Sequence, residues 1–225
     1  EALKIDSGIV DADDRKSPMF LTNEDFSSLP MPARHLVDID SYKYFIEDAR
    51  AVSLIAQLGC PFHCAFCSGR NSPFLRKIRT RSIDSIIEEI DHLYKNHGFK
   101  GYMFYDDELN VNKGMVDLMN KLSDYQKENN VEFRLRGFVK AELFTDEQAA
   151  AMYRAGFRWL LTGFESGDEK ILKNIKKIAT IEDNTRCVEI AKRNNLKVKA
   201  LMSIGHAGES RETVENTKNW LLEVK

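Results

Sequence analysis

The chain has 225 residues, 33 basic against 35 acidic, a formal net charge of −2 and 43% hydrophobic content, which is enough to bury a sizeable core. The near-neutral balance speaks against the basic surface that non-specific nucleic-acid binding needs. No apolar run approaches the roughly 18 residues of a membrane span. The first ten residues show neither the basic start nor the apolar core of a signal peptide, so the expected compartment is the cytoplasm and no membrane partner is expected.

Residues 1–50 hold three of the five prolines (Pro18, Pro30, Pro32) and no long periodic segment. They read as a linker or wrapping arm, with a short helix around 39–48. From residue 51 a repeat begins. Residues 51–58 form an apolar run stopped by Gly59, a buried-strand signal. Residues 82–97 place Ile83, Ile86, Ile87, Ile90, Leu93 and Tyr94 at helical spacing before Gly98.

Further strands are expected at 101–105, 131–135, 157–163 and 196–204. Helices are expected near 113–129, 145–155, 168–174, 181–194 and 210–224, with Thr145 and Ser210 as caps. Five alternations of strand and helix make parallel βα units, in a doubly wound sheet or a barrel. Functional residues should then follow the strands, at their C-terminal ends. Tyr102, Phe104, Phe133, Phe157 and Trp159 read as core, and Cys187 as a buried, inert thiol.

Three of the four cysteines fall between residues 60 and 67, directly after the first strand, as Cys60-x3-Cys64-x2-Cys67. Thiolates at this spacing can share one soft metal centre. A zinc site would take His63 or a distant residue as fourth ligand, but no second Cys/His pair of zinc-site spacing follows. Proteins that only shuttle electrons through a cluster supply four thiolates; three leave one iron open for chemistry.

The cysteine loop resembles the signature of the radical S-adenosylmethionine superfamily, and later segments extend the resemblance over residues 51–225. The resemblance implies an α/β fold: a partial (βα)6 TIM-like barrel, truncated before its sixth strand, behind an extended arm (1–50). It implies that Cys60, Cys64 and Cys67 hold a [4Fe–4S] cluster, with Phe66 near the adenine. Asp106-Asp107-Glu108 stands where the family has a Gly-Gly-Glu-like segment holding the methionine amino group, which leaves the contact to Asp107 or Glu108. Arg136, expected to end the third strand, would pair with the methionine carboxylate. Glu165 and Ser166, in a Gly-x-Glu-Ser-Gly segment, would approach the ribose or methionine end. Ile204 would lie against adenine, and His206 is a residue the family does not usually carry there.

The implied activity is reductive cleavage of S-adenosylmethionine to a 5′-deoxyadenosyl radical that abstracts hydrogen from a substrate. An external one-electron donor such as flavodoxin or ferredoxin is implied, and a small molecule is favoured over nucleic acid as substrate. Leu29-Pro30-Met31-Pro32-Ala33-Arg34 followed by Tyr42 resembles the connector to a cobalamin domain, which would lie outside this chain and open the way to methyl transfer or rearrangement. Two alternatives stand beside this: an RNA- or protein-directed methylthiotransferase-like enzyme, and a non-enzymatic zinc- or cluster-binding module.

Overall fold

The structure is a computed structural model that describes Asp14 and residues 20–225. Its centre is one sheet, ordered β1 (Phe45–Ile46), β2 (Ala49–Leu54), β5 (Gly101–Phe104), β6 (Arg134–Phe138), β7 (Phe157–Glu165) and β8 (Lys197–Met202). β2 and the four strands after it run parallel, and β1 adds antiparallel to the edge of β2. Parallel strands need crossovers, which here are α3 (Ile83–His97), α4 (Met115–Glu128), α5 (Asp146–Arg154) and, between β7 and β8, α6 (Glu169–Asn174) with α7 (Ile181–Arg193); α8 (Arg211–Glu223) follows β8. This is the expected partial TIM-like barrel.

Local chemistry sets the boundaries. The Ser82 side chain accepts the Ser85 N–H to start α3, and Gly98, at φ +70°, ends it. Thr145 with Gln148, Thr180 with Asp183 and Ser210 with Thr213 form reciprocal capping boxes on α5, α7 and α8. The helices pack their apolar stripes on one face of the sheet, where Leu54, Tyr102, Phe104, Leu135 and Leu160 meet Ile86, Ile90, Leu118 and Met119 in one core. The opposite, inner face carries a much smaller cluster of Ile46, Ala51, Met103 and Leu161. Cys187 is fully buried in the helix-side core, and burial pushes its thiol up to about 12.

Three segments differ from expectation. The first apolar run is split: β2 ends at Leu54, and Gln57–Leu58 forms β3, which pairs antiparallel with β4 (Arg79–Thr80). This small second sheet closes the base of the loop that carries the cysteines. The third strand starts three residues later than expected, because the Gln126 side chain accepts the Phe133 N–H (2.7 Å) and its backbone carbonyl accepts that of Val131 (3.0 Å). Arg136 therefore lies in the middle of β6 and not at its end. In the arm, the expected helix at 39–48 is a single 3-10 turn, Ile39–Ser41, followed by β1, while a helix not foreseen, α1 (Asn23–Ser28), has a Thr22/Asp25 capping box. α2 (Pro73–Arg76) is a single turn within the cysteine loop.

Candidate active site at the C-terminal rim of the sheet

The three cysteines stand on the loop between β3 and β4, above the C-terminal ends of the parallel strands. Cys60 and Cys64 are half-buried and Cys67 is exposed. The entry to the loop is held by carboxylates that follow β5: Asp106 accepts the Ala56 N–H (3.1 Å) and Asp107 accepts the Gly59 N–H (3.0 Å). Gly59 has φ +89°, and a Cβ there would stand 2.1 Å from the Lys77 carbonyl oxygen, so only glycine lets the two ends of the loop pass. The Cys60 N–H donates to the Leu75 carbonyl (3.0 Å), and the Ala65 N–H to that of Ile175 (2.7 Å), which fastens the loop to the segment after α6.

Asp106 is only 2% exposed, and burial pushes its carboxyl up to about 7. Its role is internal. Asp107 also holds the loop backbone, through one oxygen, but is otherwise exposed, and Glu108 beside it is half-buried. Burial pushes the Glu108 carboxyl up to about 7 against the pull of Lys140 and Lys177. Burial also pushes the Cys60 thiol up, opposed by a backbone hydrogen bond from Phe62.

Two buried cations that the sequence did not single out complete the rim. Lys140 follows β6, pairs with Glu142 (3.0 Å), and lies 4.2 Å from the centroid of the Phe62 ring inside the cysteine loop. Its backbone is held on both sides by the Asn110 amide: Lys140 N–H to Oδ1 (2.8 Å) and Nδ2 to the Lys140 carbonyl (3.0 Å). Lys177 contacts the Gly163 carbonyl and pairs with Glu165 (3.3 Å). A lysine in a loop reads as surface in sequence; only closure of the rim buries these two.

Glu165 ends β7 at φ +65°, next to a register shift against β8. A non-glycine residue in that conformation beside a bulge is a costly backbone, of the kind that gathers at functional sites. Its carboxylate accepts from Ser203 Oγ (2.9 Å), and Ser203 Oγ lies 2.6 Å from His206 Nε2. With the one serine hydrogen given to the carboxylate, His206 donates from Nε2. Its ring meets Phe66, with centroids 5.6 Å apart, so the β8 end touches the cysteine loop. Phe66 and Ile204 are exposed apolar groups at 46% and 77%.

Ser166 is different. It is 1% exposed, with its hydroxyl 3.0 Å from Thr217 Oγ1 and accepting the Asp168 N–H (3.2 Å), so it ties β7 to α8. Arg136 is also outside the rim: it neighbours Met103 and Trp159 in the ladder, with its guanidinium 5.4 Å from the Tyr44 ring centroid.

Among the described residues, no three His, Cys, Asp or Glu side chains converge as ligands of one metal ion. Three thiols on one loop, two of them half-buried and near Lys140, match in number and type the donors of a cluster that takes a different iron on each thiolate.

A strand-following cysteine triad backed by rim carboxylates defines a class, and comparison with known proteins agrees. The chain belongs to the Radical SAM superfamily, whose family model matches residues 54–221. It is similar to an uncharacterized methyltransferase of Pyrococcus horikoshii, 28% identical over 86% of this chain and 41% of the relative. It is also similar to the anaerobic magnesium-protoporphyrin IX monomethyl ester cyclase of Rubrivivax gelatinosus, 27% identical over 81% of this chain and 32% of the relative. The chain thus spans well under half the length of these relatives. Among solved structures, the radical S-adenosylmethionine methyltransferase TsrM from Kitasatospora setae, with cobalamin and a [4Fe–4S] cluster bound, matches with a TM-score of 0.71 at 20% identity, over 78% of this chain and 35% of that one. No helix among the described residues is long and apolar enough to cross a membrane.

Proposed function

We propose that this chain is the catalytic part of a radical S-adenosylmethionine enzyme in which Cys60, Cys64 and Cys67 each hold one iron of a [4Fe–4S] cluster. The observation that carries the reading is the anchoring of the cysteine loop, at Ala56 and Gly59, by the carboxylates that follow β5. Bound there, the cluster would supply the one-electron reductive cleavage of S-adenosylmethionine that starts hydrogen abstraction from a substrate.

The chain's own residues divide the work of holding that cofactor. Glu108, or Asp107 through the oxygen that does not hold Gly59, accepts the methionine ammonium. Lys140 and Lys177 supply positive charge at the same end, the place the sequence had given to Arg136. Glu165, fixed by Lys177 and Ser203, faces the ribose side. Phe66, in ring contact with His206, and Ile204, two residues before it, offer exposed apolar surface to the adenine. Ser166 acts at one remove, by keeping β7 and α8 in register. The arm (1–50) leads into the barrel (51–225), a full-length protein would carry a cobalamin-binding domain ahead of it, and methyl transfer to a small molecule is the reaction class favoured. Flavodoxin or ferredoxin is the class of electron donor.

Anaerobic reconstitution of the full-length protein tests the reading. It should take up about four irons with absorption near 400 nm. Incubation with S-adenosylmethionine and dithionite should release 5′-deoxyadenosine, and Cys60→Ala, Cys64→Ala and Cys67→Ala should each abolish it. One zinc and no colour, or an iron-loaded enzyme that forms no 5′-deoxyadenosine, would sink the proposal.

A further inference from the structure

β6 carries two arginines on the same face of the sheet, and they are treated very differently. Arg134 lies within reach of three carboxylates: Glu132 (3.4 Å), Glu47 (3.5 Å) and Asp48 (4.0 Å). Arg136, two residues on, has no carboxylate within 4.0 Å among the described residues, and its Nε is buried without a hydrogen-bond partner. The Tyr44 hydroxyl, from the arm beside it, is a second buried polar atom with no partner. The neighbouring arginines each have a carboxylate partner: Arg34 and Arg81 share Glu89, and Arg50 pairs with Asp40.

Both unpartnered groups line one cavity of about 560 Å³, between the arm and the edge of β2. Its other walls include Ile39, Tyr42, Ser53 and Tyr105, so it is largely aromatic and apolar. Arg34 also lines it, with its Nη2 held by Glu89 (2.6 Å) and the Ser53 carbonyl (3.1 Å). A half-buried guanidinium without a counter-ion and a buried hydroxyl without an acceptor are both costly, unless something that accepts hydrogen bonds completes them. A cavity of this size with apolar walls and few convergent polar groups has the form of a small-molecule site.

The geometry points to Arg136 and Tyr44 as the anion-binding subsite of this enzyme's substrate: a small molecule with a flat apolar body and a carboxylate or phosphate. The guanidinium takes the anion in a fork and the Tyr44 hydroxyl adds a third donor, while the tyrosines of the arm cover the body. The cavity wraps the β2 edge of the sheet; Arg136 lines it from mid-strand and Tyr105, directly before Asp106, lines it too, so the far end of the substrate would reach toward the C-terminal rim. As a substrate subsite it rests on the function proposed above.

The test is calorimetric titration of the full-length, reconstituted protein with benzoate and with phenyl phosphate, against neutral benzyl alcohol. At least one anion should bind about tenfold tighter than the alcohol, and which one does so assigns carboxylate or phosphate. Arg136→Gln should weaken that anion about tenfold and Tyr44→Phe about threefold, while Arg136→Lys, which keeps the charge, should retain part of the affinity. S-Adenosylmethionine affinity, titrated separately, should move less than about twofold in the same variants.

Absence of anion binding, or equal binding by Arg136→Gln, overturns the subsite. So does a loss confined to S-adenosylmethionine, which would return Arg136 to the methionine carboxylate. Should Arg136→Gln fail to fold, Tyr44→Phe decides: unchanged affinity for both anions overturns the proposal. Failure of the radical chemistry itself would appear separately, as missing iron or missing 5′-deoxyadenosine, with anion binding still measurable.

Discussion

Asp106 shows how little a residue type says about its work. It is one of three consecutive acids, yet it is buried, with one oxygen on the Ala56 N–H and the other, Oδ2, without a partner among the described residues. Its carboxyl is raised from 3.8 to about 7 by burial, so the folded chain holds that proton more tightly than the unfolded chain. Its contribution is then fully present below pH 3.8 and is lost as pH rises toward 7. Asp106→Asn keeps the acceptor for Ala56 and removes the buried charge. The variant should gain stability over the wild type as pH rises from 4 to 8, by roughly 2 kcal/mol or more. Urea unfolding at pH 4, 6 and 8 checks this, and a difference that does not change with pH would show that Asp106 does not titrate in this window. The acidic run itself was legible as a site signal. Which members hold the loop backbone was not, because that depends on which backbone N–H groups the β2–β3 turn brings to β5.

At the scale of elements, one buried carboxylate clamps the arm to the barrel. Glu89 of α3, with its side chain 3% exposed, pairs with Arg34 (2.6 Å) from the arm and Arg81 (2.5 Å) from the end of β4. Each arginine also donates to a carbonyl just upstream of the cysteine loop, Arg34 to Ser53 (3.1 Å) and Arg81 to Ile55 (3.0 Å). Removing the shared anion leaves two guanidiniums facing each other in a dry place, a class of change that costs about 3–5 kcal/mol. Glu89→Ala should therefore lower the urea midpoint strongly and admit protease to the arm, and Glu89→Gln should do so less. Cleavage patterns equal to the wild type's would refute the clamp. Sequence periodicity placed α3 to within a residue but did not single out Glu89, whose position three after Ile86 sets it on the buried side of the helix. The third strand slipped for a related reason: Val131 and Phe133 are apolar and buried, but their amides are satisfied by Gln126, and burial alone does not reveal which partner takes an N–H. The Thr22–Asp25 box that starts α1 is a sequence signal for a helix start, set between Pro18 and Pro30.

Across the whole molecule, stability and chemistry are carried on different parts of the sheet. The helix-side face is sealed by a continuous apolar core, in which Leu118, Met119, Leu122 and Phe133 are all 1% exposed or less. The inner face and the C-terminal rim hold unpaired or paired charge, half-buried thiols and a strained Glu165, features that cost free energy and that the other face must offset. The division was legible as apolar strands followed by polar motifs; the two rim lysines were not, since their burial comes from contacts across the fold. A separation of this kind predicts that the two properties can be broken one at a time. Leu122→Ala empties space in the helix-side core and should cost about 2–5 kcal/mol. The folded fraction of that variant should still load iron in the wild-type ratio, because nothing at the rim has moved. Gly59→Ala should do the reverse: a Cβ 2.1 Å from the Lys77 carbonyl forces the cysteine loop open at its neck, while the core stays packed. Its urea transition should remain close to that of the wild type, and its iron uptake should fall to a small fraction. If Leu122→Ala lost iron in proportion to stability, or if Gly59→Ala unfolded globally, the loop would be part of the cooperative core and not a separately adjustable rim.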